Sequence, residues 1–160
     1  MKYFIYLFAM ILIVSCATQK TEINKIEYQA GACFGFCPMF KLTITPNRTA
    51  IIDAERFTFE EGKGKSDFGK AKEGIFKTTI NGESYHKLIG MLNDLKIKSL
   101  NSKYGNHNIT DLPTSYLTVN YQDGTSKKIE DYGKNGTEKL KELWNFLEDL
   151  RKTQSWTKVQ

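Results

Sequence analysis

Cys33 and Cys37, in the stretch GACFGFCPMF that runs from Gly31 to Phe40, are the residues whose type and spacing most directly suggest chemistry. Paired thiols four apart can form a disulfide, offer two soft ligands to a metal, or exchange with other thiols. In an extended strand their α-carbons would stand roughly 13 Å apart, at about 3.3 Å per residue. A disulfide needs roughly 4.4–6.8 Å. If the bond forms, the chain must turn back on itself. Gly35 supplies the backbone freedom for that turn, and Pro38 sets the exit. A loop so small contributes only about 2 kcal/mol by restricting the unfolded chain. Its use would be to hold Phe34 and Phe36 as apolar plugs or as a presented surface.

The metal alternative has a motif behind it. C-x-x-x-C-P resembles the copper-binding motif of the chaperones that serve cytochrome oxidase assembly, and paired thiolates suit Cu(I). Those proteins are thioredoxin-like and add a distant histidine. Here the candidates are His86, beside a helical apolar stripe, and His107, in the polar stretch GNHNITD. Zinc needs further ligands that the spacing does not offer. Thiol exchange usually favours two intervening residues rather than three. Asp111, in TDLPT, could cap local amides or accept a ligand. Asp131-Tyr132-Gly133 reads as a turn with a packed tyrosine. No nucleophile–histidine–acid order, phosphate loop or H-E-x-x-H motif is present, so no enzyme activity and no cofactor is expected.

The N-terminus bears on the cysteines. Lys2 precedes an apolar run, Phe4 to Val14, of signal-peptide length and short for a membrane span. It ends in Ile13-Val14-Ser15-Cys16, which looks like a bacterial lipobox. That resemblance implies cleavage after residue 15, diacylation of the Cys16 sulfur and attachment to a membrane. Of three cysteines it leaves one pair for an oxidising compartment, where disulfides persist. Ala17 lacks the aspartate that retains some lipoproteins in the inner membrane. The expected location is therefore the outer membrane, facing the periplasm or the cell surface. A net charge of +5 reads as a solvated lysine-rich surface. The expected partners are the membrane, through the lipid, and an envelope protein or polysaccharide, without nucleic acid.

Residues 16–25 read as a flexible tether, 26–152 as a single domain and 153–160 as a frayed tail. Phe40, Leu42 and Ile44 alternate with Lys41, Thr43 and Thr45, as in a half-buried strand. Pro46-Asn47 turns it into a β-rich stretch, Thr49 to Glu60, expected to be one long or broken strand pairing back. A glycine- and lysine-rich loop (62–74) precedes a short strand at Ile75 to Ile80. Asn81 can cap a helix that turns Tyr85, Leu88, Ile89, Leu92 and Leu95 inward. Residues 96–113 are connection, with local order near Tyr104. Leu117, Val119 and Tyr121 mark the next strand. A three-residue loop, Gln122 to Gly124, then pairs Leu117 with Ile129 on the apolar face; a two-residue loop would send Ile129 to the polar face. Thr137 caps a last helix with Leu140, Leu143, Trp144, Leu147 and Leu150 inward. Strands followed by a helix thus occur twice. The expected class is α+β: an antiparallel sheet with both amphipathic helices on one face.

CFGFCPMFKLTI, TDLPT before a strand, and KKIEDYG before a leucine-rich helix together resemble an uncharacterised bacterial lipoprotein family with a C-F-G-x-C-P signature, domain of unknown function 6438. The resemblance covers about residues 28–150. It marks Cys33, Gly35, Cys37, Pro38, Asp111 and Pro113 as signature residues, and implies no known reaction, substrate or cofactor. The chain departs from the family at Pro46-Asn47-Arg48, where an Asp-Gly-type turn is usual, and in an enlarged 62–74 loop. The expected function is a non-catalytic binding or scaffolding module, with Phe34, Gly35, Phe36, Asp111 and Pro113 as its surface. The alternative is a copper-binding or thiol-redox protein using Cys33 and Cys37.

Overall fold

A computed structural model describes residues 22–59 and 73–159. Cys16, the leader and most of the 62–74 loop lie outside them. The strands are β1 (Ile23–Ala30), β2 (Phe40–Ile44), β3 (Thr49–Ala54), β4 (Gly74–Thr79), β5 (Lys103–Tyr104), β6 (Thr114–Tyr121), β7 (Ser126–Tyr132) and β8 (Thr157–Lys158). The helices are α1 (Gly82–Asp94) and α2 (Glu138–Thr153), with a 3-10 turn at Ile97–Ser99.

The strands form one sheet in the order β5-β7-β6-β1-β2-β3-β4-β8, antiparallel except for the β5–β7 pair. Two runs of strands, each closed by a helix, join edge to edge where β1 meets β6. Alternation decides which face is buried. Tyr28, Leu42, Ile52, Leu117 and Ile129 point to one side, and with the apolar stripes of both helices they form a single core. Glu27, Lys41, Thr118 and Lys128 point to the other, polar side.

Both caps form as expected. The Asn81 side chain accepts from Ser84 N–H at 2.8 Å, and Thr137 Oγ1 accepts from Leu140 N–H at 3.2 Å. Tyr121 N–H donates to Thr125 O across Gln122-Asp123-Gly124, with Gly124 at φ +82° and Leu117 opposite Ile129. That is the three-residue loop which parity demands.

Three local readings need correction. Ile23, Asn24 and Lys25, assigned to the tether, are strand, because β6 offers Tyr121 opposite Ile23 and Asn120 opposite Lys25, with Asn24 at a bulge between them. The stretch to Glu60, expected to be one long or broken strand, is strand only as far as Ala54, where the chain turns with Phe57 at φ +59°. The tail does not fray: Trp156 packs on the core, and β8 pairs with Phe76 and Lys77 of β4.

Candidate functional site

The cysteine pair lies in the β1–β2 connection, beyond one end of the sheet. Gly31 N–H donates to Thr114 O at 2.8 Å and extends the β1–β6 ladder by one rung. A Cβ at Gly31 would meet that oxygen at 2.9 Å, so a side chain there would push the strands apart. The chain then leaves the sheet and returns. Cys33 and Cys37 are bonded, with their α-carbons 5.8 Å apart. Gly35 sits at φ +140° with nothing within 4 Å of a would-be Cβ. Its backbone conformation, not crowding, calls for glycine.

The return leg is clamped. Met39 N–H donates to Arg56 O at 2.8 Å, and Met39 O accepts from Glu55 N–H and from the hydroxyl of buried Thr58. Phe36 meets the ring of Phe57 edge-on at 5.4 Å between centroids.

The Asp111 loop joins the tip through its backbone. Phe34 N–H donates to Asp111 O at 3.2 Å. The Asp111 carboxylate instead takes the Thr110 hydroxyl at 3.2 Å. Asp111 adopts φ +69°, a region that aspartate enters more readily than bulkier residues. Leu112 N–H donates to the Tyr132 hydroxyl and Pro113 O accepts from Gly133 N–H, pinning this loop to the end of β7.

The fold therefore places Phe34, Gly35, Phe36, Asp111 and Pro113 at one end of the sheet. It leaves apolar surface there. Phe34 is 88% exposed, Phe36 42%, and Ile109, on the Asp111 loop, 50%. Such rings in water are unfavourable unless something covers them.

The histidines are engaged elsewhere. His107 stacks on Tyr132 with centroids 4.5 Å apart and lies 3.7 Å from a Glu130 carboxylate oxygen. His86 is exposed on α1 beside Tyr85. Among the described residues no group of three His, Cys, Asp or Glu side chains could hold a metal ion. In the bonded state Cys33 and Cys37 present no thiolate.

Sequence reasoning missed a polar chain behind the tip. Glu148 of α2 accepts the Tyr28 hydroxyl at 2.8 Å and the Lys134 ammonium at 2.8 Å on the same oxygen. Ser115 Oγ lies 3.4 Å from the Tyr28 hydroxyl. Burial, and then the Glu148 charge, raise the Tyr28 hydroxyl well above the usual phenol range. Beside this chain is a small depression of about 120 Å³, lined among others by Gly31, Cys37, Pro38, Pro113, Lys134 and Glu148. Cys37, Pro38 and Pro113 thus border one recess.

Asp131 was missed too. It is fully buried, and its carboxylate accepts from Asn135 N–H, Gly136 N–H and the Trp144 indole N–H. A signal existed: Asp131 shares the inward parity of Ile129, where a charge must find donors.

Comparison with curated proteins gives no match. A family model covers nearly the whole of the described domain, from the third residue described to the last turn of α2. Matched over residues 24–151, the chain belongs to the family described as Domain of unknown function (DUF6438).

Proposed function

We propose that this is a lipid-anchored cell-envelope protein, attached to the outer membrane through acylated Cys16, whose domain is a non-catalytic binding or scaffolding module. The observation that carries the binding role is the tip. A disulfide, a left-handed glycine and a hydrogen bond to the Asp111 loop hold Phe34 outward, 88% exposed. A rigid aromatic held in advance loses little freedom on binding, which favours affinity. The lipobox-like Ile13-Val14-Ser15-Cys16 supports the anchor. Two or three acyl chains at about 0.8 kcal/mol per buried methylene make attachment effectively permanent.

Labelled palmitate fed to cells producing the full chain tests the anchor. The native protein should incorporate label and sediment with outer membrane, and Cys16→Ala should do neither. Label-free native protein in the soluble fraction would rule the anchor out.

A further inference from the structure

We infer that the apolar patch formed by Phe34, Phe36 and Ile109 docks another protein, on the side of the domain turned away from the anchoring membrane. The inference rests on the Cys16 anchor proposed above and adds an orientation and a partner class.

Strand direction gives the orientation. The chain enters β1 at Ile23, and there Gln122 N–H donates to Glu22 O at 2.7 Å, so the β6–β7 turn marks the anchor end. The tip follows Ala30, at the other end of the same strand. Eight residues of strand at about 3.3 Å each separate the two ends by about 26 Å. From Cys16 to Glu22 there are six peptide steps, which reach at most about 21 Å when fully stretched. An inverted domain, tip down on the bilayer, would need a longer tether than the chain has.

Surface chemistry narrows the partner. Phe34 and Ile109 expose hydrocarbon, which suits an apolar protein pocket better than a polysaccharide, whose hydroxyls need hydrogen-bonding groups. Exposed Asp111 on the same loop and exposed Arg56 on the turn that clamps Met39 give the rim charges of both signs, which suits the polar rim of a protein partner. Backbone strain gathers here as well. Of the five non-glycine residues with positive φ among those described, three, Phe57, Asp111 and Lys134, lie in the loops around the tip. Strain of this kind persists where a particular surface must be held.

Two measurements on the full acylated chain test the inference. First, a fluorescent amino acid is placed at position 34 or 123, and the protein is inserted in phosphatidylethanolamine–phosphatidylglycerol vesicles carrying a headgroup quencher. Quenching should be strong at 123 and weak at 34. Equal or stronger quenching at 34 overturns the orientation. Protein that does not float with the vesicles shows instead that the anchor reading has failed. Second, a photoreactive phenylalanine analogue at position 34 is irradiated in living cells. A discrete adduct with one different protein is expected, absent when the analogue stands at 123 and lost with Ile109→Lys. Lipid adducts, an adduct at twice the chain's own mass, or no adduct overturn the docking claim, whether or not the anchor holds.

Discussion

The indole N–H of Trp144 donates to the Asp131 carboxylate at 2.7 Å, tying the middle of α2 to the end of β7 beneath the core. The same carboxylate takes the amides of Asn135 and Gly136, so one side chain fixes both the helix and the loop that leads into it. Asp131→Ala removes three accepted bonds and leaves the indole N–H buried without its acceptor. A charge-assisted bond contributes about 1.5–3 kcal/mol, so a loss of about 3 kcal/mol in urea unfolding is expected. Trp144→Phe keeps the two amide bonds and should cost less than Asp131→Ala. The reverse ranking would show that ring packing, not the carboxylate, dominates this joint.

Legibility followed parity. The β6–β7 loop could be read because Leu117 and Ile129 must share a face, which a three-residue loop achieves and a two-residue loop does not. Ile26, Tyr28 and Ala30 also alternate with Glu27 and Gln29, but the start of β1 is concealed by Asn24 and Lys25. A bulge between Ile23 and Lys25 puts these two polar residues side by side and breaks the alternation there. At the site, Gly35 and Pro38 announce a turned loop. The polar chain from Tyr28 to Glu148 could not be read, since its ends are 120 residues apart and meet only when α2 crosses β1.

The cysteine bond is expected to shape more than it stabilises. Protein isolated without reductant should show neither Cys33 nor Cys37 as a free thiol on titration, and should take up no Cu(I) in competition with a chelator. Replacing both with serine should cost about 2 kcal/mol at most, from the chain-entropy relation for so short a loop. The core should survive, with the same far-ultraviolet spectrum. Free thiols in the native protein together with one tightly held equivalent of Cu(I) would favour copper handling over the staple.

Alkaline pH should unfold the protein partly through Tyr28. Its folded phenol is raised well above the ordinary value near 10, chiefly by burial and next by Glu148. The folded state therefore holds this proton more tightly than the unfolded chain does. The stabilisation is complete below about pH 10 and is lost as the pH climbs from there toward the folded value. Tyr28→Phe gives up the bond to Glu148, for about 1–2 kcal/mol at neutral pH. It also removes the titrating group, so the gap between the two proteins should narrow above pH 10. Tyr121, also raised by burial, titrates in both proteins and does not affect the difference. A gap that stays constant to pH 11.5 would mean that Tyr28 does not govern the alkaline limb.

The C-terminal segment is expected to act as an edge guard. Without β8, β4 would end the sheet with open amides and carbonyls at Ile75 and Lys77, beside partly buried Phe59 and buried Phe76. Open edges of this kind pair with other chains. Trp156 adds hydrophobic cover, and its indole N–H bonds Leu150 O at 3.3 Å. Gln154 also accepts from Asn81 N–H, joining this segment to the start of α1. Truncation after Gln154 keeps the Asn81 link and removes both the strand and the tryptophan. It should lower stability by about 1–3 kcal/mol, from the burial of one large side chain, and cause concentration-dependent association in light scattering. Trp156→Ala in the full chain separates the two effects. It should lose stability without the added association of the truncated chain, because the β8 ladder to β4 is backbone and remains in place. If it associates as readily as the truncated chain, the tryptophan, not the strand, protects the edge.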